Sequence, residues 1–389
     1  MDFKSLRIAF VLLLPLLWVD GVWATQCPDT DYILTSQAQV DALGQTGCTS
    51  VSGYVSIGNS SDITNLEGLS GLTSIAGDLV IRNNAALTNL DGLASLTSVG
   101  GDLEIDNDYN NDAALTNLDG LSNLTSVGGY LSIWLNHALT NVDGLAKLTS
   151  VGGWLGIGSN AALTNLDGLA SLTSVGGGLE IANNDALTNL DGLASLTSVG
   201  GSLSIFSNNP LTNLDGLASL TSVGGYLDVS YNITLTDCQG IALVLGYPNG
   251  PPDDNVLGTI AIDSNATGCN SVAEVLAAGP LQSPTAPAVV STDFEDGKII
   301  LTVSVSDNGG TEITGYDATC TDGTNTYTGT STSSPITVSG LTNDVAYTCT
   351  VTATNSVGTS SASAATAPIT PEEQVGGGLP IWLLYQINQ

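Results

Sequence analysis

Basic side chains are almost missing from this chain. Five Lys and Arg stand against 37 Asp and Glu in 389 residues, a formal net charge of −32. A chain so acidic repels phosphate backbones, which excludes nucleic acid as a partner. There is one histidine, His137, and no serine or cysteine has a base beside it in sequence, so no nucleophile–base pair is legible. No apolar run reaches the roughly 20 residues that a membrane-spanning helix needs. The loop Asn355 to Ser360 carries no Arg-Gly-Asp. Aromatics make up only 5% of the chain, so any that cluster stand out.

What is abundant is repetition. The segment Ala86 to Gly101 (ALTNLDGLASLTSVGG) recurs verbatim at Ala162 to Gly177 and at Ala186 to Gly201. The central residue of TNLDG falls at Leu66, Leu90, Leu118, Val142, Leu166, Leu190 and Leu214, a step of 24 with a single step of 28. Self-similarity at this period means a stack of turns, each touching only its neighbours. Within a turn, Leu79 and Ile81 alternate with outward residues, the period-two signature of a half-buried strand, and the pair recurs from Val55/Ile57 to Leu227/Val229 and Ile260/Ile262. The expected fold is an all-β solenoid of 24-residue turns over residues 25–278, rising ~4.8 Å per turn.

Three columns of the repeat have structural readings. Gly-Gly before each strand is expected to bend the backbone, and the Asn after it to pair with its equivalents in the turns above and below. The acidic column Glu67, Asp91, Asp119, Asp143, Asp167, Asp191 and Asp215 is expected to cap the Asp-Gly-Leu turn, with a cation-binding ladder as the alternative.

The N-terminus places Lys4 and Arg7 before the apolar run Ile8 to Leu17 and ends on Val22-Trp23-Ala24. Residues 1–24 therefore read as a removed signal peptide, and the expected location is extracellular or at the cell surface. Only Arg82, Lys147 and Lys298 then remain as bases. Six cysteines in an exported chain read as disulfides. They allow 15 connectivities, and the repeat register supports the sequence-local set: Cys27 with Cys48, Cys238 with Cys269, Cys320 with Cys349. Cys48 sits in the column of Leu72 and Cys238 in that of Leu214, so a core leucine becomes a staple at each end of the array.

The motif TNLDGL…LTSVGG-x-L-x-I-x-x-N resembles the repeats of receptor L-domain-like and leucine-rich-repeat-like bacterial surface proteins, over about residues 27–278. That resemblance implies a right-handed β-helix-like solenoid, extracellular and used for binding rather than chemistry. Gly-Gly before the strand departs from an ordinary leucine-rich repeat and favours a straight prism over a horseshoe with outer helices.

Beyond the array, Ser271 to Ala278 is expected to form a capping helix, and residues 279–287, with three prolines, a linker. Residues 288–371 alternate in short stretches (Ile299 to Val305, Ile313 to Cys320, Asn325 to Thr330, Ile336 to Val338, Tyr347 to Ala353), which predicts a β-sandwich. Gly340-Leu341 followed by Tyr347 to Asn355 resembles the later strands of a fibronectin type III domain, an immunoglobulin-like sandwich, with Tyr347 at the tyrosine corner. The usual early-strand tryptophan is missing, and Cys320 and Cys349 are expected to bridge facing strands in its place. This module reads as a spacer. Residues 372–389 form a Gly-rich and apolar tail, too short to span a membrane, loosely similar to bacterial sorting tails but without their basic stop.

Because most of each turn is a copy, a unique site must lie in the columns that vary. Before the strand these read Tyr54, Asp78, Asp102, Tyr130, Trp154, Gly178, Ser202, Tyr226; after it, Gly58, Arg82, Asp106, Trp134, Gly158, Ala182, Phe206, Ser230. Tyr130, Trp134 and Trp154 fall on adjacent turns with Gly156 and Gly158 as open floor beside them, and are the candidate residues for a glycan or protein ligand. The long turn adds Asp106, Asp108 and Asp112, oxygen donors that suit calcium, although their spacing is not that of an EF-hand; a solvated acidic loop is the other reading. No other cofactor is expected. The expected function is binding or adhesion, not catalysis. The alternatives are a polysaccharide lyase or hydrolase using Asp102, Glu104 and Asp106 with Arg82 as the nearby cation, and a purely structural envelope protein. Asn59, Asn123, Asn232 and Asn265 head N-x-S/T sequons that are expected to be incidental.

Overall fold

The computed structural model describes residues 25–107, 114–251 and 254–373. Residues 1–24, Asp108, Asp112 and residues 374–389 lie outside them.

The alternating strands pair in parallel and in register, Leu79 with Leu103 and Ile81 with Ile105, and so on through a ten-stranded sheet that runs from Tyr32–Leu34 to Ile260–Asp263 in chain order. A period of two sends Leu79 and Ile81 inward. The rest of the turn adds Leu87, Leu90, Leu93, Leu96 and Val99 to the same dry interior, none of them more than 4% exposed. At about 1.5–3 kcal/mol per buried leucine or isoleucine, this column is the main stabilising contribution. Two features were not legible. Each Thr-Ser-Val stretch contributes a two-residue strand, Ser50–Val51 to Ser222–Val223, to a second parallel sheet of eight strands. Each Asp-Gly-Leu forms one turn of 3₁₀-helix, as at Asp91–Leu93.

The repeat Gly-Gly pairs do form bends, as at Gly100 and Gly101, but without positive φ. What demands glycine there is close approach: a Cβ on Gly100 would fall on the Ala76 carbonyl of the preceding coil, and one on Gly128 on the Gly100 carbonyl. One local expectation needs correction: the acidic column does not cap its own turn. The residue two places earlier does, with Asn89 Oδ1 accepting from the Asp91 N–H at 3.1 Å and the same bond at Asn117, Asn141, Asn165, Asn189 and Asn213.

The asparagine ladder is as expected. The Asn136, Asn160, Asn184 and Asn208 N–H groups each donate to the Oδ1 of the asparagine one coil on (3.0, 3.2, 3.1 and 2.9 Å). Each Nδ2 reaches back to a strand carbonyl, as Asn184 does to Ile157 at 3.1 Å. The residue before each asparagine must turn left-handed to aim it inward, with φ of 55–61° at Leu135, Ser159, Asn183, Ser207 and Tyr231. Asn232 belongs to this fully buried ladder, so its sequon is inaccessible to glycosylation.

The ends are capped. Helix Gln37–Gln45 buries Val40 and Leu43 at the first coil, and helix Val272–Ala278, capped by the Ser271 hydroxyl, buries Val275 at the last. The three disulfides join the expected partners, Cys27–Cys48, Cys238–Cys269 and Cys320–Cys349.

The C-terminal region is a β-sandwich of two antiparallel three-stranded sheets. One holds Ala288–Glu295, Lys298–Ser304 and Ile336–Ser339; the other holds Thr326–Ser331, Gly315–Thr321 and Thr348–Thr354. Tyr347 is buried and its hydroxyl accepts from the Thr342 N–H at 2.9 Å, the geometry of a tyrosine corner. Cys320 and Cys349 are direct neighbours on adjacent strands of one sheet, Cα to Cα 4.0 Å. The disulfide therefore staples a single sheet and does not bridge facing strands, because both cysteines point inward from paired positions. A closing segment follows a period of three: Ser360, Ser363 and Thr366 donate N–H groups to Ala353, Val351 and Cys349 while their hydroxyls accept from the same three residues. The segment 279–287 is bonded into this module, with the Gln282 N–H on Gly309 O at 2.8 Å and Asn355 Nδ2 on Gln282 O at 2.7 Å.

Candidate ligand-binding face

The outward side of the ten-stranded sheet carries the variable columns, and parallel register aligns them in straight rows. The row through the middle of the strands reads Ser56, Val80, Glu104, Ser132, Gly156, Glu180, Ser204, Asp228. Trp154 directly precedes the strand Leu155–Gly158, and its ring occupies the space a Cβ on Gly156 would take. Trp134, at the end of the neighbouring strand Leu131–Trp134, does the same at Gly158, its register partner. The glycines are thus not open floor, as their small size suggested, but seats for the two indoles. The ring centroids lie 6.4 Å apart with 17° between planes. The planes are nearly parallel, a stacked indole pair seated on the two glycines. The Trp134 indole N–H is buried without a partner among the described residues.

Tyr130 belongs to a different group. Its hydroxyl donates to Glu104, which also pairs with Arg82. Burial, and then the bond to Glu104, raise the Tyr130 phenol above its ordinary range. Asp106 accepts the Ser132 hydroxyl at 2.8 Å and the Trp134 N–H at 2.9 Å. Burial raises its carboxyl despite these bonds. Asp102 accepts the Tyr130 N–H at 2.8 Å. The structure therefore pairs Trp134 with Trp154 and ties Tyr130, on the coil of Trp134, to Glu104 and Arg82 on the two preceding coils.

This arrangement bears on the other readings. Asp106 is engaged by protein donors, Asp108 and Asp112 lie outside the described residues, and among the described residues no group of three or more His, Cys, Asp or Glu is placed to hold a metal. The three carboxylates considered for glycoside hydrolysis each have protein partners. His137 is exposed in its turn.

Two residues of this face carried no signal in the sequence. Glu180, one strand from Gly156, has its carboxyl raised by burial alone, and Asp228 keeps a buried Oδ1 without a partner. Both sit in mid-strand positions, where a lone acidic residue looks like ordinary outward polarity.

A cleft of about 440 Å³ opens where the last coils meet the sandwich, lined in part by Asp191, Asp215, Leu243, Leu281 and Val357. Asp215 is half-buried there. Burial first, then the Asp237 and Asp191 charges, push its carboxyl up to about 6 against a hydrogen bond from Thr311.

The chain carries a recognisable family signature in its first coils. Residues 47–111 match the Receptor L domain family model. No curated protein matches the chain. Among solved structures it is similar to domains A168-A170 from titin (24% identity over 24% of this chain and 34% of that one, TM-score 0.23). It is likewise similar to titin kinase and its flanking domains (25% identity over 23% and 17%, TM-score 0.22). The chain thus spans about a third and a sixth of those two structures. No helix among the described residues is long and apolar enough to cross a membrane.

Proposed function

We propose that this is an extracellular binding protein, secreted or surface-attached, that recognises a glycan through the outward face of its solenoid sheet and carries its sandwich as a fibronectin type III-like spacer. The observation that carries the reading is the stacked indole pair of Trp134 and Trp154 seated on Gly156 and Gly158. Indoles held against the sheet offer apolar ring surface, and the C–H faces of pyranose rings stack on such surfaces. Ordering two rings on a surface costs entropy and exposes apolar area to water, which a purely structural coil has no reason to do. Three disulfides and the Receptor L domain match over residues 47–111 support an extracellular setting. A non-catalytic role is supported by the protein partners of Asp102, Glu104 and Asp106.

A glycan array probed with the mature protein tests the proposal. Binding that falls at least about tenfold in Trp154→Ala and in Trp134→Ala, or about 1.4 kcal/mol, is the expected result. Turnover of a bound glycan would replace this reading with an enzymatic one, and silence in both assays with a structural one.

A further inference from the structure

Resting on the reading that the indole pair binds a glycan, we propose that the preferred ligand carries free protonated amines: an oligosaccharide of amino sugars whose nitrogens are not acylated. The argument is the inventory of charge around the platform. Of the three bases after residue 24, Arg82 is paired with Glu104, Lys147 donates to Asn123 at 2.6 Å on the turns, and Lys298 pairs with Glu295 in the sandwich at 3.1 Å. No cation is left on this face to receive a uronate or a sulfate. Carboxylates are left. Glu180 stands in the same row as Gly156, one strand away at ~4.8 Å, and so borders any ring stacked on Trp154.

Burial alone acts on the Glu180 carboxyl. An ammonium group beside it supplies the counter-charge that this half-buried group lacks. Two strands further, at ~9.6 Å, the buried Asp228 Oδ1 is likewise without a partner. The row therefore presents an apolar indole pair and, one strand on, the unpaired Glu180 carboxylate, an order that suits a sugar chain with an amine next to the stacked ring. The indole faces add their own attraction for an ammonium group. An acetylated nitrogen carries no charge and offers Glu180 no ionic partner.

The test is isothermal titration of the mature protein with four hexasaccharides: glucosamine, N-acetylglucosamine, glucose and galacturonic acid. The glucosamine hexamer is expected to bind about tenfold tighter than the N-acetylated one, an advantage that vanishes in Glu180→Gln and at ~1 M salt, where screening acts within about 3 Å. The galacturonate hexamer is expected not to bind. Glu180→Gln is a mild probe of folding, since the same row holds Ser, Gly and Val elsewhere. Equal or tighter binding of the acetylated or glucose hexamer, or a preference that survives Glu180→Gln, overturns the inference. If Trp154→Ala abolishes binding while no charge preference exists, the glycan reading stands and only this inference falls. If no hexamer binds, this inference falls and the array decides the glycan reading; if Trp154→Ala leaves every affinity unchanged, both fall.

Discussion

The solenoid and the sandwich bury equally dry cores but close them in different ways. Each coil bonds only the coil before and after it, in register, through strand pairs and the asparagine ladder. The sandwich is tied by partners distant in sequence, such as the Gly297 N–H on Asn343 and Cys320 across from Cys349, and by a tyrosine fixed to one loop. The difference matters for function. In the solenoid, folding uses the inward columns and the ladder, so one outward column can hold Tyr, Asp, Trp, Gly or Ser in turn without disturbing the stack. In the sandwich, the outer positions are shared with the segments that close it.

Removing disulfides should separate the two regions most sharply. The closed loops are similar, 31 and 29 residues apart in sequence, so loss of either bond costs about 3–4 kcal/mol on the chain-entropy view. Replacing Cys238 and Cys269 with alanine should fray only the last coils, while replacing Cys320 and Cys349 should lower the melting of the whole sandwich. Hydrogen exchange resolves the two outcomes, and uniform loss of protection along the solenoid would break the comparison. Next in size is the ladder. Asn184→Ala orphans the Asn160 N–H in a dry interior and removes the second bond on the Ile157 carbonyl, a cost of about 1–3 kcal/mol in urea unfolding. Tyr347→Phe in the sandwich orphans one N–H, about 1–2 kcal/mol.

The junction responds to pH. Asp215 is raised to about 6 from an unfolded value near 3.9, so the folded state holds the proton more tightly. Its stabilising contribution is full below about pH 4 and is lost as pH rises through about 6. Asp215→Asn should remove that slope and raise the melting temperature at neutral pH; an unchanged profile would show that the sandwich does not bury this group. The smallest effect is at Leu135, whose φ of 61° is unfavourable for a branched side chain. Leu135→Asn should stabilise by about 0.5–1 kcal/mol, since asparagine visits this region more readily.

Much of this was legible because the repeat writes the same physics many times. Leucine and isoleucine at fixed offsets gave the strands, the asparagine column gave the ladder, and cysteines in core columns gave the end staples. What escaped depends on contacts between coils. The carbonyl of Ala76 over Gly100 is invisible in one turn's sequence, so the glycine pair showed its bend but not the close approach that requires it. Asn89 and Asp91 both carry an oxygen able to cap, and only the geometry assigns the bond to Asn89. Two-residue strands are too short to show a period, and Ser360, Ser363 and Thr366 pair with a spacing of three that a search for alternation passes over. At the site, the sequence placed Trp134 and Trp154 together but could not show that the glycines lie beneath them, or that Tyr130 bonds to Glu104.

The central claim is that glycines at two outward positions seat an indole pair that recognises ligand while the coil beneath is indifferent to it. Gly156→Val tests it most directly. The three atoms nearest a Cβ there all belong to the Trp154 ring and none to backbone, and the same row already holds Val80. Measured on one sample, the account predicts unchanged far-ultraviolet dichroism and melting, an altered near-ultraviolet tryptophan signal, and loss of glycan binding. Binding retained with the indole displaced, or a coil that unfolds, would contradict it.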